Sequence, residues 1–252
     1  MNLSPLASLG GWVLIGALTL LFFLAGFLIF LPLSLIFERW SGGFLHGVSQ
    51  SWARSIARLL PFWEIRVEGL ERIRKAGPYI VVSNHQSLLD IMVVLARLPL
   101  HFKFIAKKEL FWIPFLGWHL ALARYIPLKR GDAASGRACL EKARSWLRQG
   151  VSVLFFPEGT RSPDGEIHEF KPGAFKLALE EKVDLLPLVI TGTRNVIPKH
   201  AWYVRKKSVL GLHVQEPLFT QNLKPAGLNE FREKVRKQIT GEFERLQPTA
   251  PP

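Results

Sequence analysis

The sequence predicts an α/β protein: a mixed, largely parallel central sheet flanked by helices, with an N-terminal hydrophobic helical membrane module. Three observations predict it. No side chain from Asn2 to Phe37 is charged. Beyond residue 60, short apolar runs alternate with segments of helical spacing, as expected of a parallel sheet with crossover helices. Proline and glycine stand where those segments begin and end. The implied division is 1–60 for membrane-anchoring helices, 61–246 for the α/β domain and 247–252 for a disordered tail. A chain of 252 residues can hold one sizeable domain and such an appendage.

The elements follow in order. Gly11 to Leu31, GWVLIGALTLLFFLAGFLIFL, is 21 residues long. About 20 helical residues cross a bilayer core of about 30 Å, so this segment can span it. A cleaved signal peptide would have a basic start, a shorter apolar core and a small-residue cleavage site, and none is evident. Arg39, Arg54 and Arg58 follow the segment and no Lys or Arg precedes it, which places the body in the cytoplasm. Pro32 is expected to end or kink this helix. In FLHGVSQSWARSIARLL (44–60), Phe44, Val48, Trp52, Ile56 and Leu59 recur at helical spacing between polar residues. That pattern suits a helix lying at a membrane interface or packing on the domain. A two-helix hairpin dipping into one leaflet competes with a full span. Pro61 closes the module.

In the body, PYIVVS, KFIAK, RYIPL, VSVLFF and DLLPLVI read as buried strands, and residues 208–218 as one more. LLDIMVVLARL after Ser87, Ala134 to Gln149, and PGAFKLALEE read as helices. Gly150 is placed to end the second of these, and Pro172 to open the third. Residues 227–246 form a charged closing helix. Cys139, the only cysteine, excludes an internal disulfide and sits at helical spacing among apolar residues, as a packing residue does.

Lys and Arg outnumber Asp and Glu by 33 to 20, a formal charge of +13. Such a balance asks for an anionic partner: nucleic acid, a phosphorylated substrate or an anionic membrane surface. No zinc-finger spacing or aromatic RNA-binding sequence supports the first. The histidines lack metal-ligand spacing, which argues against a zinc hydrolase. A membrane-anchored basic binding protein stays as the alternative to an enzyme.

Chemistry gathers in four stretches. In VVSNHQSLLD (81–90), His85 falls at the carboxyl end of a strand, where α/β sheets place their sites. Asp90, one turn into the following helix, is positioned to fix its tautomer. The same residues have a plainer reading, because Ser87 and Asp90 have the spacing of a capping box. VLFFPEGTRS (153–162) ends a strand at Pro157 and presents Glu158, Gly159, Thr160 and Arg161, a glycine turn beside a guanidinium fork. YIPLKRGD (125–132) delivers Lys129 and Arg130, and FIAKKEL delivers Lys107 and Lys108. Each basic group taken alone is an ordinary solvated loop. Together Lys107, Arg130 and Arg161 occupy the carboxyl ends of different strands, at the same end as His85. One base among three such cations points to a substrate with both a hydroxyl and a phosphate.

NHQSLLD, the strand ending in Arg130, FPEGTR and LLPLVI, in that order, resemble the glycerolipid acyltransferases. The match is best to the bacterial type of 1-acylglycerol-3-phosphate (lysophosphatidic acid) acyltransferases. It covers roughly residues 60–220, and the hydrophobic N-terminus fits it. The resemblance implies transfer of a fatty acyl group from acyl-CoA or acyl-carrier protein to the sn-2 hydroxyl of lysophosphatidic acid, making phosphatidic acid. No cofactor and no metal are implied. His85 would be the general base and Asp90 its orienting partner, with direct attack and no acyl-enzyme. Glu158, Gly159, Thr160 and Arg161 would bind the acceptor, with Arg161 on its phosphate. Arg130 and Lys107 would assist, and Pro187 would lie near the acyl-donor site. The expected location is the bacterial inner membrane, with the catalytic domain on the cytoplasmic side. The second motif often reads Phe-Ile-x-Arg, whereas this chain has Pro127, Leu128, Lys129 and Arg130. That departure leaves room for another lysophospholipid, a lyso-aminolipid or glycerol 3-phosphate as acceptor.

Overall fold

The computed structural model describes residues 5–36, 41–60, 63–74, 77–197 and 208–247. Two helices lead, α1 (Pro5–Ile36) and α2 (Ser41–Leu59). The body then runs β1 (Trp63–Glu68), β2 (Ile80–Ser83), α3 (Leu89–Arg97), β3 (Phe102–Lys107), α4 (Leu116–Leu122) and β4 (Ile126–Leu128). It continues with α5 (Ala133–Arg148), β5 (Ser152–Phe155), α6 (Gly173–Glu181), β6 (Leu185–Thr191), α7 (Thr193–Val196), β7 (Ser208–Val214) and α8 (Leu228–Leu246).

The seven strands form one sheet in the order β1-β7-β6-β2-β5-β3-β4. Every pairing is parallel except β6 with β7, so the sheet is mixed and largely parallel, as expected. Alternate residues feed opposite layers. Val81, Leu186 and Leu188 face α2 and α3, among Ile56, Val93 and Val94. Ile80, Val82, Val153 and Val189 face α5, α6 and α8, among Ala143, Phe175 and Val235. A sheet covered on both faces accounts for strands that are apolar throughout.

The structure departs from the expected elements in four places. The strand β1 escapes an apolar-run reading because WEIRVE alternates, with only Trp63 buried. An edge strand needs only one covered face. Pro32 does not end α1, which runs on to Ile36. The ring removes one N–H, and the turn beyond it is still closed by the remaining donors. The short helices α4 and α7 have no periodic signal of their own and follow the turns that precede them. The expected last strand ends at Val214, with only a bridge from Leu218 to Leu185 beyond it. Pro61 and residues 248–252 lie outside the described residues.

The helix α1 is long and apolar enough to cross a membrane by length and composition. Its Leu18 and Phe23 are buried, while Leu6, Leu9, Val13, Leu20, Leu24 and Leu28 are exposed. Those exposed positions recur at helical spacing and form one apolar stripe. With about 1.5 Å rise per residue it is about 33 Å long, close to a bilayer core. The amphipathic α2 packs on α3 and α1, so its apolar face meets the domain.

Candidate active site

The site grows from the end of β2. Asn84 stands where the strand would continue, fully buried, and imitates a backbone pair. Its side-chain amide donates to the Ile190 carbonyl and accepts the Ile190 N–H, both at 2.8 Å. This clamp fixes the point at which the chain leaves the sheet, and the next residue is His85.

His85 donates its backbone N–H to Glu158 Oε1 at 2.8 Å, and its carbonyl accepts the Ser162 N–H at 2.8 Å. Its ring stacks on Phe156, with centroids 4.1 Å apart. His85 Nδ1 lies 2.7 Å from Asp90 Oδ2. That oxygen already accepts backbone N–H groups, so Nδ1–H is the donor in this contact. The same Oδ2 accepts the N–H groups of Gln86 at 2.6 Å and Ser87 at 2.9 Å. One fully buried carboxylate thus holds the turn that leads into α3 and grips the imidazole. The capping box forms only in part: Ser87 Oγ accepts the Leu89 N–H and donates to the Ile197 carbonyl.

A cavity of about 480 Å³ opens beside His85, above the carboxyl ends of β3, β4 and β5. Its rim carries Lys107, Lys129, Arg130 and Lys171, and its floor is apolar, from Ile105, Leu128, Leu140 and Phe155. Parallel pairing of β2, β5, β3 and β4 brings these residues to one end of the sheet. A pocket with an apolar floor and a few convergent cations suits an amphiphile with an anionic head. Cys139 lies in this wall, and burial pushes its thiol up to about 11, as befits a packing residue.

The other expected residues divide. Arg161 is partly buried; burial and the nearby Arg130 lower its proton affinity, and Asp90 opposes them. Its charge therefore stands close to both Arg130 and the dyad. Gly159 lines the cavity at φ 74, and a Cβ there would lie 2.7 Å from Lys171 Nζ. Only glycine suits that turn. Glu158 is buried and does not line the cavity. Its oxygens accept the N–H groups of His85 and, at 3.3 Å, His168. It ties the loop to the end of β2, and burial pushes its carboxyl up while those N–H groups pull it back. Thr160 is exposed and outside the cavity lining. Pro187 is buried in β6 opposite Val82 and is not part of the lining of this cavity. Asn84 and Lys171 are additions that no spacing rule signalled. Among the described residues, no group of three His, Cys, Asp or Glu side chains could hold a metal ion.

A histidine–carboxylate pair thus stands beside a cavity lined by apolar side chains and four cations, an arrangement found in enzymes. The sequence relationships are specific. The family model for acyltransferases matches residues 64–191, and the chain belongs to that family. It is 36% identical over 209 residues to the chloroplastic 1-acyl-sn-glycerol-3-phosphate acyltransferase of Arabidopsis thaliana, covering 82% of this chain and 58% of that one. The 1-acyl-sn-glycerol-3-phosphate acyltransferase of Saccharomyces cerevisiae is 33% identical, over 76% of this chain and 63% of that one. The chain therefore spans less than two thirds of these relatives. The crystal structure of the 1-acyl-sn-glycerophosphate (LPA) acyltransferase of Thermotoga maritima superposes with a TM-score of 0.72 at 29% identity. That match covers 96% of this chain and all of the other.

Proposed function

We propose that the chain transfers a fatty acyl group from acyl-CoA or acyl-carrier protein to the sn-2 hydroxyl of lysophosphatidic acid, yielding phosphatidic acid. The observation that carries this is the 2.7 Å His85–Asp90 contact at the edge of the cation-rimmed cavity. His85 Nε2 takes the hydroxyl proton as the oxygen attacks the thioester carbonyl. The tetrahedral intermediate collapses, the C–S bond breaks, and the imidazolium returns its proton to the departing thiolate. Asp90 steadies the imidazolium between these steps. Lys107, Arg130 and Arg161 hold the phosphate, and the apolar floor takes a hydrocarbon chain.

General base catalysis of this kind is worth about 10²- to 10⁴-fold. The remainder comes from holding the two substrates together. No protein nucleophile and no cofactor enter the scheme. The membrane fits it too, because the acceptor resides in a bilayer and α1 brings the domain to one. The Arg-rich flank supports a cytoplasmic position for the catalytic domain at a bacterial inner membrane.

The test is product analysis by mass spectrometry with purified full-length protein, lysophosphatidic acid and each thioester donor. Phosphatidic acid is the expected product. No turnover with either donor, while glycerol 3-phosphate or another lysolipid is acylated, would transfer the reading to that acceptor.

A further inference from the structure

Between β3 and β4 the chain makes a turn whose outward side is aromatic. The 3-10 turn at Lys108–Trp112 leads through Ile113 and Pro114 into α4. Its inward side is fully used. Leu110, Phe111 and Leu116 pack against Leu45 of α2 and against Leu120 and Tyr125. The backbone is held tightly. The Gly117 N–H donates to the Ile113 carbonyl at 2.7 Å, and a Cβ on Gly117 would stand 2.1 Å from the Phe111 carbonyl oxygen.

From this fixed base Trp112 is 78% exposed, Ile113 44% and Trp118 49%. A rigid ridge that shows two tryptophans and an isoleucine to water is costly unless something apolar covers it. Its surroundings say what does. The helix α4 packs on α1, where the Phe23 ring stacks on His119 at 4.0 Å. The ridge is thus joined to the helix that carries the long apolar stripe. On its other side it begins directly after Lys107, which lines the catalytic cavity, and the exposed Lys108.

We propose that the ridge Trp112–Trp118 is a second membrane anchor, built into the catalytic domain, that seats in the headgroup zone of an anionic bilayer. Tryptophan favours that zone, with its ring in the apolar layer and its N–H among the headgroups. Lys107 and Lys108 meet lipid phosphates at the same level. The α1 stripe and the ridge then contact the bilayer together and hold the cavity mouth against it. A lysolipid can enter past Lys107 without leaving the membrane. The proposal names where the catalytic site meets its lipid, and it rests on the acyl-transfer reading only in the kinetic arm of its test.

The structural arm uses full-length protein in nanodiscs of phosphatidylethanolamine and phosphatidylglycerol. Cys139→Ser removes the native thiol. A bimane label is placed through Trp112→Cys, or through Lys142→Cys on α5 as control. Lipids brominated near the headgroup end of their chains are expected to quench the first label and spare the second, with iodide doing the reverse. A Trp112→Cys label that iodide quenches as strongly as the control, and that brominated lipid leaves unchanged, overturns the proposal, as a protein partner at this site would. In the kinetic arm, Trp112→Ser with Trp118→Ser raises KM for vesicle-embedded lysophosphatidic acid about tenfold. The kcat, and the KM for a short-chain acceptor free in solution, stay unchanged. Equal losses on both acceptors overturn it. Absence of acyl transfer in the parent protein would count against the enzymatic reading alone, because quenching needs no turnover.

Discussion

Asp90 carries two tasks on one oxygen. Oδ2 receives His85 Nδ1–H and two backbone N–H groups, while Oδ1 has no hydrogen-bond partner among the described residues. Asp90 therefore touches both the backbone turn before α3 and the imidazole, the contacts that the capping and orienting readings each require. Substitution can separate them. Asp90→Asn keeps an oxygen that can cap α3 but loses the charge that supports an imidazolium. We expect kcat to fall by at least about 100-fold while stability changes by about 1 kcal/mol. Full activity, measured with the thermal midpoint alongside, would leave Asp90 only the capping task. The His85–Asp90 pair was legible through the Arg130 and FPEGTR clusters that follow it, because its spacing alone suits a helix cap equally well. Glu158 was expected at the acceptor only through the family motif. Only the folded chain shows its oxygens turned inward to the His85 and His168 N–H groups.

At the scale of elements, the site depends on how β2 ends. Neighbouring strands pair through backbone groups, yet the last rung between β2 and β6 is made by the Asn84 side chain. Asn84→Ala would strip the Ile190 N–H and carbonyl of their buried partners. Unmet buried groups of this kind cost about 1–3 kcal/mol each. We expect a loss of about 2–4 kcal/mol in chemical denaturation, with activity reduced at temperatures where the fold persists. A variant as stable as the parent would show that the clamp is dispensable. The buried strands were readable as apolar runs because both faces of the sheet are covered. β1 was not, because an edge strand hides only one face. Lys171 was not, because the cavity rim is assembled from the start of α6 and the loops after β3 and β4, far apart in sequence.

At the scale of the molecule, the N-terminal helices join the domain through a buried polar network. His46 Nε2–H donates to the Leu100 carbonyl, and His46 Nδ1 lies 3.1 Å from the Tyr125 hydroxyl. Tyr125 donates to Ser49, whose hydroxyl lies 2.7 Å from His119 Nε2. Burial, with the nearby His101 and Lys103, lowers His46 to about 3. Burial and Lys103 lower His119 to about 4. Unfolded histidines take up protons near pH 6.5, so between there and pH 4 the unfolded chain binds protons that the folded chain refuses. Stability is then complete above about pH 6.5 and falls as pH drops, by about 1.4 kcal/mol per unit for each histidine. We expect a clearly lower melting temperature at pH 5 than at pH 7.5, and a shallower dependence in His119→Gln. A melting temperature that does not move between those values would refute the neutral network.

Local pattern and motif order were enough for the α/β class, the apolar helix α1, the carboxyl-end placement of His85, Lys107, Arg130 and Arg161, and the family. These are matters of local periodicity and motif order, which each segment carries alone. Tertiary structure decided which of these residues share a cavity, what Glu158 and Pro187 touch, and that α2 turns its apolar face to the domain. It also decided that Trp112 and Trp118 are left outside while their neighbours are used up within. Those outcomes depend on packing between segments distant in the chain, where burial of one side chain is settled by what another element has already covered.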